Sequence, residues 1–192
     1  MNAVTAPRTR SSRVDEASWI EAALSLLADG GIAAVRVEPL ALKLGVTKGA
    51  FYSRYPTRDA LHVAMLQYWR REKTSELIET LSVEESAAER LQRLLMFPFR
   101  RPDVQERARL EMAIRIWAHG DPRAAATMEE IDGQRLKHLQ AVLVANGVAP
   151  EDAEARAFVM YGYLIVEGSL PGKRSESVQQ ACRRFLSSGI SE

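Results

Sequence analysis

At 192 residues and 21.4 kDa, the chain fits one or two domains and can bury a sizeable apolar core. Its 46% hydrophobic and 27% charged residues match an ordinary globular protein, and no run of about 18 apolar residues exists to span a membrane. Twenty-six Lys and Arg against 25 Asp and Glu leave a formal charge of +1, a total that taken alone argues against a nucleic-acid binder.

Counting by position changes that reading. Residues 39–58 carry Lys43, Lys48, Arg54 and Arg58 and no acid, and the arm before residue 15 adds Arg8, Arg10 and Arg13, also unopposed. Residues 63–192 hold 18 basic and 19 acidic side chains. A cationic N-terminal patch is thus joined to a neutral body. The single cysteine, Cys182, permits no internal disulfide and no cysteine metal cluster, which points to a reducing, cytoplasmic setting. Residues 1–12 are polar and Arg-bearing without the apolar stretch of a secretory signal, and read as a flexible basic arm.

Taken in chain order, helical periodicity dominates, and no segment alternates long enough for a strand. A first helix is expected after a Ser12 cap, with Ala17, Ile20, Leu24 and Leu27 as its apolar face and Gly30-Gly31 as its stop. A short helix from about Glu38 to Leu44 follows, with Pro39 tolerated in its first turn. Gly45-Val46 breaks the chain, Thr47 caps a third helix to about Tyr55, and Pro56 ends it. Thr57 then caps a long helix from Arg58 to about Leu81. Further helices are expected over 86–97, 103–118, 123–145, from Pro150 to about Glu167, and from a Ser175 cap to about Ser187. The fold class is all-α with about nine helices. Domains are expected at 13–60 and 61–192, after the arm at 1–12.

Two short helices across a glycine turn, preceded by a lone helix, are the parts of a helix-turn-helix. Leu40, Ala41, Val46, Ala50 and Phe51 can form its small core, leaving Thr47, Lys48, Gly49, Tyr52, Ser53 and Arg54 outward. A helix N-terminus offers free backbone N–H groups to phosphate, and Thr47 adds a hydroxyl. Lys48 suits a phosphate or a guanine edge, Gly49 permits close backbone approach, and Tyr52 and Tyr55 can offer hydroxyls while their rings brace the helix. Lys43 adds to the same cationic face, and Arg58 would clamp the flanking backbone.

The stretch Trp19 to Leu61 resembles the DNA-binding region of the TetR family of bacterial transcriptional regulators. The resemblance is carried by Ala22-Ala23-Leu24, Leu27, Gly31, Val37, Leu40-Ala41 and above all by the run from Gly45 to Leu61. It implies a third helix in the major groove, with Thr47, Lys48, Gly49, Tyr52 and Arg54 there. The family usually has Thr or Ser where this chain has Val35 and Arg36, so the hydroxyl cap on the second helix is lost and Arg36 would meet the backbone as a charge. By the same resemblance, residues 61–192 would bind a small-molecule effector and form a homodimer, and the chain would act as a ligand-responsive repressor on a near-palindromic double-stranded DNA operator.

Within the body, Phe158, Tyr161, Leu164 and Ile165 on one helix and Val178, Cys182 and Phe185 on the last make apolar stripes suited to a dimer interface, or to packing within one chain. Met65, Trp69, Leu95, Phe97, Met112, Ile116 and Trp117 are bulky or adaptable side chains that suit either a core or an apolar effector pocket. His62, His119 and His138 lack paired spacing for a metal, and no nucleophile elbow, phosphate-binding glycine loop or dinucleotide fingerprint occurs. Neither an enzyme nor a cofactor is therefore expected. A TetR-like activator, or a helical protein-interaction module with a degenerate helix-turn-helix, remain the alternatives.

Overall fold

The computed structural model describes residues 14–82, 86–96, 104–170 and 174–190. Among them are nine α-helices: α1 Glu16–Gly30, α2 Val37–Leu44, α3 Lys48–Tyr52, α4 Arg58–Ser82, α5 Ala87–Met96, α6 Val104–Ala118, α7 Pro122–Ala145, α8 Pro150–Ser169 and α9 Glu176–Ser187. No strand occurs among the described residues.

Local chemistry sets the boundaries. Asp15, rather than Ser12, caps α1: its Oδ1 accepts from the Ser18 N–H at 2.9 Å, and Ser12 lies outside the described residues. Gly30 ends the helix where a Cβ would stand 2.8 Å from that of Ala34, so only glycine lets the following 3₁₀ turn, Ile32–Ala34, fold back so closely. Gly45 holds φ +66°, the left-handed conformation that turns α2 into α3. Thr47 caps α3 through the Ala50 N–H, and Thr57 caps α4 through that of Ala60. Helix α3 stops at Tyr52, three residues before the expected end, because Ser53 and Arg54 close a turn ahead of Pro56. Ser86 and Glu89 form a reciprocal capping box on α5, with bonds of 2.8 and 3.3 Å.

Two apolar clusters result. In the first, Trp19, Leu24 and Leu27 of α1 meet Leu40 of α2, Phe51 of α3 and Leu61, Met65 and Trp69 of α4, and the cluster continues into Ile114 and Trp117 of α6 and Met128 and Ile131 of α7. The boundary drawn at residue 60 thus falls inside α4 and inside this shared core. The second cluster joins Leu91 and Leu95 of α5 to Leu139 and Leu143 of α7 and Ala157 and Met160 of α8. Asn146, buried at the end of α7, donates to the carbonyls of Ala87 at 2.9 Å and Val142 at 2.7 Å, tying α5 to α7.

A charged layer involving α6, α7 and α8 adjoins these clusters. Arg115 forks onto Asp132 at 2.7 and 2.8 Å and reaches Glu111 at 2.9 Å. Arg135 donates to Glu111 at 2.7 Å and to the Tyr161 hydroxyl at 2.9 Å, while that hydroxyl donates to Asp132 at 2.7 Å. Burial alone would raise the Glu111 pKa, but the charges and hydrogen bonds of Arg135 and Arg115 outweigh it and pull the carboxyl down to about 2.

Candidate nucleic-acid interface

The turn at Gly45 and the cap at Thr47 fix where α3 points. Phe51 is fully buried against Trp19, with ring centroids 5.8 Å apart in an edge-on contact. With that face anchored, Thr47, Lys48, Gly49, Tyr52, Ser53 and Arg54 lie on the exposed side of the unit. Tyr52, 57% exposed, leans edge-on against Phe51 at 5.2 Å, so its ring is braced while its hydroxyl end stays outside. Gly49 has only Thr47 Oγ1 within 4 Å of where a Cβ would sit, leaving its backbone open to a close neighbour. Arg58 is exposed at the first turn of α4, beside this surface.

Arg36 occupies the N-cap of α2 and makes no side-chain cap bond, while Val35 beside it is fully buried. Lys43 is exposed and donates to Ser25 Oγ at 2.9 Å. Ser53 Oγ donates to the Ala50 carbonyl at 2.8 Å, so its hydroxyl is partly committed to the helix end. Tyr55 departs from the expected surface position. Its ring is buried with Trp19 and Phe51, and its hydroxyl is enclosed with no partner among the described residues, so it braces the unit rather than facing a duplex.

One residue escaped the sequence reading. Glu38, in the first turn of α2, accepts from Lys48 Nζ at 2.7 Å, and both side chains are more than half exposed. The hydrogen bond and charge of Lys48 hold the Glu38 carboxyl below its ordinary pKa. The all-basic window of residues 39–58 begins one residue too late to include it. A separation of ten residues across a glycine turn was the available signal, since α2 and α3 fold back on each other there.

The remaining candidates divide. Met65 and Trp69 are buried in the first cluster and Leu95 in the second, so the expected pocket set does not converge; Phe97 lies outside the described residues. Met112, Ile116 and Trp117 line a cleft of about 960 Å³ bounded by α1, the start of α4, α6 and the end of α8. On its wall Arg123 forks onto Asp59 with two bonds of 2.8 Å and also holds Asp121 at 2.8 Å, bridging α4 to α7. Asp121 in turn accepts from Trp117 Nε1 at 3.2 Å. On α8 and α9, Phe158 is 70% and Phe185 77% exposed, with Val178 also exposed and Leu164, Ile165 and Cys182 half-buried. Tyr161 does not share that outer face: it is buried, and its hydroxyl belongs to the charged layer.

Comparison with known proteins bears on this surface directly. Residues 20–65 match the family model of the bacterial regulatory proteins of the tetR family. No curated protein matches the chain. Among solved structures, one described as a transcriptional regulator from Saccharomonospora viridis in complex with choline is 19% identical, with a TM-score of 0.77 over 92% of this chain and 97% of that one. A TetR-like transcriptional regulator from Rhodococcus sp. RHA1 is 18% identical, with a TM-score of 0.70 over 94% and 96%. The regulator FadR from Bacillus subtilis in complex with stearoyl-CoA is 15% identical, with a TM-score of 0.67 over 92% and 100%. At these identities the structures speak for the fold; the family match over the helix-turn-helix speaks for its use. The match over residues 20–65 makes this helix-turn-helix similar to that of the bacterial regulatory proteins of the tetR family, and it supports a DNA-binding transcriptional regulator.

Proposed function

We propose that the protein is a ligand-responsive repressor that binds a near-palindromic operator as a homodimer. Its DNA contacts are Arg36, Lys43, Thr47, Lys48, Gly49, Tyr52, Ser53, Arg54 and Arg58. In this reading residues 13–60 read the duplex, the arm at 1–12 adds charge, and residues 61–192 bind the effector and self-associate. The protein acts by binding rather than by catalysis, in the cytoplasm. The observation that carries the reading is the exposed surface of α3, anchored by Phe51 against Trp19 and flanked by the exposed cations Lys43, Arg54 and Arg58. Two further features support its finer parts. The exposed apolar side chains of α8 and α9, led by Phe158 and Phe185, suit a self-complementary two-fold interface. Helix α4 runs unbroken from Arg58 into the body, so a ligand that shifts the body moves the reading helix. A coupling of about 1–3 kcal/mol between effector and DNA suffices to change occupancy usefully.

Selection of binding sites from random duplexes tests this. The expected product is two inverted half-sites about one helical turn apart, or a multiple of it, bound by an even number of chains. Selection of a single asymmetric half-site bound by one chain would contradict it, as would failure to enrich any sequence.

A further inference from the structure

The cleft between α1, α4 and α6 differs from the closed body interior in two respects. First, it exposes apolar surface: Ile116 is 63% exposed and Leu170 45%, with Ile32 and Met112 beside them on the wall. Isolated exposed apolar residues are ordinary, but several lining one concavity mark a site for an apolar body. Second, its charges are unbalanced in a specific way. Asp59 and Asp121 are both occupied by Arg123, whereas Arg58 and Arg109 line the same cleft and form no ion pair with any described residue. His62 on this wall is buried, with no hydrogen-bond partner for Nε2 among the described residues. Among the described residues the lining therefore offers two guanidinium groups outside any ion pair and no carboxylate outside one. A cationic ligand would meet uncompensated positive charge, a neutral apolar one would leave both arginines unused, and an anion with an apolar tail satisfies both features.

We infer that this cleft binds an amphipathic carboxylate, its tail against Ile32, Met112 and Ile116 and its carboxylate neutralised by Arg58 and Arg109. This rests on the ligand-responsive reading above and gives it a place and a chemistry. The cleft lies where the DNA-reading helices meet the body, with α1 and α4 on one side and α6 on the other. Arg58 stands at once on the cleft and beside the DNA-facing surface, so a carboxylate that engages it withdraws a phosphate contact. Ligand and operator then oppose each other through one shared side chain as well as through helix movement.

Decanoate is a suitable probe, with decanol and decyltrimethylammonium as neutral and cationic counterparts of equal chain length. On the full-length protein, calorimetry and thermal melting are expected to show decanoate binding at least about tenfold more tightly than either counterpart and raising the melting midpoint. Arg109→Gln is expected to weaken decanoate about tenfold or more, as loss of a charge-assisted bond does, and Arg109→Lys to restore part of it. Because Arg109 is exposed, its unliganded melting midpoint should not move, which separates lost binding from lost folding. Equal binding of decanol, absent binding of decanoate, or undiminished decanoate binding by Arg109→Gln would overturn the inference. DNA affinity measured alongside separates the two levels. Cleft binding that leaves DNA affinity unchanged overturns the ligand-responsive reading and keeps the site. A ligand effect on DNA affinity that Arg109→Gln does not diminish overturns the site and keeps the reading.

Discussion

Lys48 and Glu38 form an exposed ion pair at the N-terminus of α3, the end proposed to meet a duplex. A lysine held at 2.7 Å by a carboxylate is positioned, but part of its charge is already neutralised. The same carboxylate repels phosphate and can accept from an exposed base amino group. Lys48→Ala should therefore weaken operator binding, at a cost of about 1–3 kcal/mol if the contact is to a base. Glu38→Gln should act oppositely on unrelated DNA, tightening it several-fold and steepening the salt dependence by up to about one unit of slope, so the ratio of specific to non-specific affinity falls. Titrations of both variants against operator and scrambled duplexes at two salt concentrations check this, and an unchanged ratio in Glu38→Gln would show the pair to be a bystander. Tyr55 illustrates the limit of reading such a surface from sequence. It follows Phe51 by four residues, the spacing of one helix face, and Tyr55 N–H still donates to the Phe51 carbonyl at 2.8 Å, so the ring joins Phe51 and Trp19 in the core. The spacing from a core phenylalanine was the legible signal, and the hydroxyl of the residue type drew the expectation to the surface instead.

Most helix starts were legible because the chemistry that sets them is local: Thr47, Thr57 and Ser175 each accept from the backbone N–H three residues on, whereas the cap of α1, expected at Ser12, is Asp15. Which face of a body helix meets which neighbour is a non-local property. Periodicity therefore grouped Met65, Trp69 and Leu95 with Met112, Ile116 and Trp117, although they belong to two clusters and a cleft. The charged layer was equally hidden, since Glu111, Arg115, Asp132, Arg135 and Tyr161 lie on three helices and look like solvated positions in sequence. Its consequence is a pH dependence of stability. The Glu111 carboxyl sits at about 2 when folded, below its ordinary value near 4.5. It contributes stability that is complete above about pH 4.5 and is lost as pH falls toward 2, on the order of 3 kcal/mol in all. Chemical denaturation of the wild type should show that loss across this window, and Glu111→Gln should be destabilised at pH 7 while losing less on acidification. Parallel pH profiles for the two proteins would mean the layer does not anchor α6 to α7.

The whole chain carries a charge of +1 because a cationic reading surface and a nearly neutral body are summed. The division is functional more than structural, since one apolar cluster runs from α1 through α4 into α6 and α7. Packed side chains and the Arg123 bridge to Asp59 join α4 to the body, the physical connection that the proposed coupling between effector and DNA requires. A single small head offers few phosphate contacts, so useful affinity requires two heads held at a fixed spacing. Phe158 and Phe185 are the exposed side chains assigned to hold them. The decisive measurement is binding of the selected duplex, by fluorescence anisotropy across a salt series, for the wild type and for a Phe158→Glu, Phe185→Glu double variant of verified fold. The wild type should bind as a dimer with steep salt dependence, and the double variant should be monomeric and weaker by about 100-fold or more at equal salt. A monomeric double variant that binds the full site as tightly as the wild type would contradict the account.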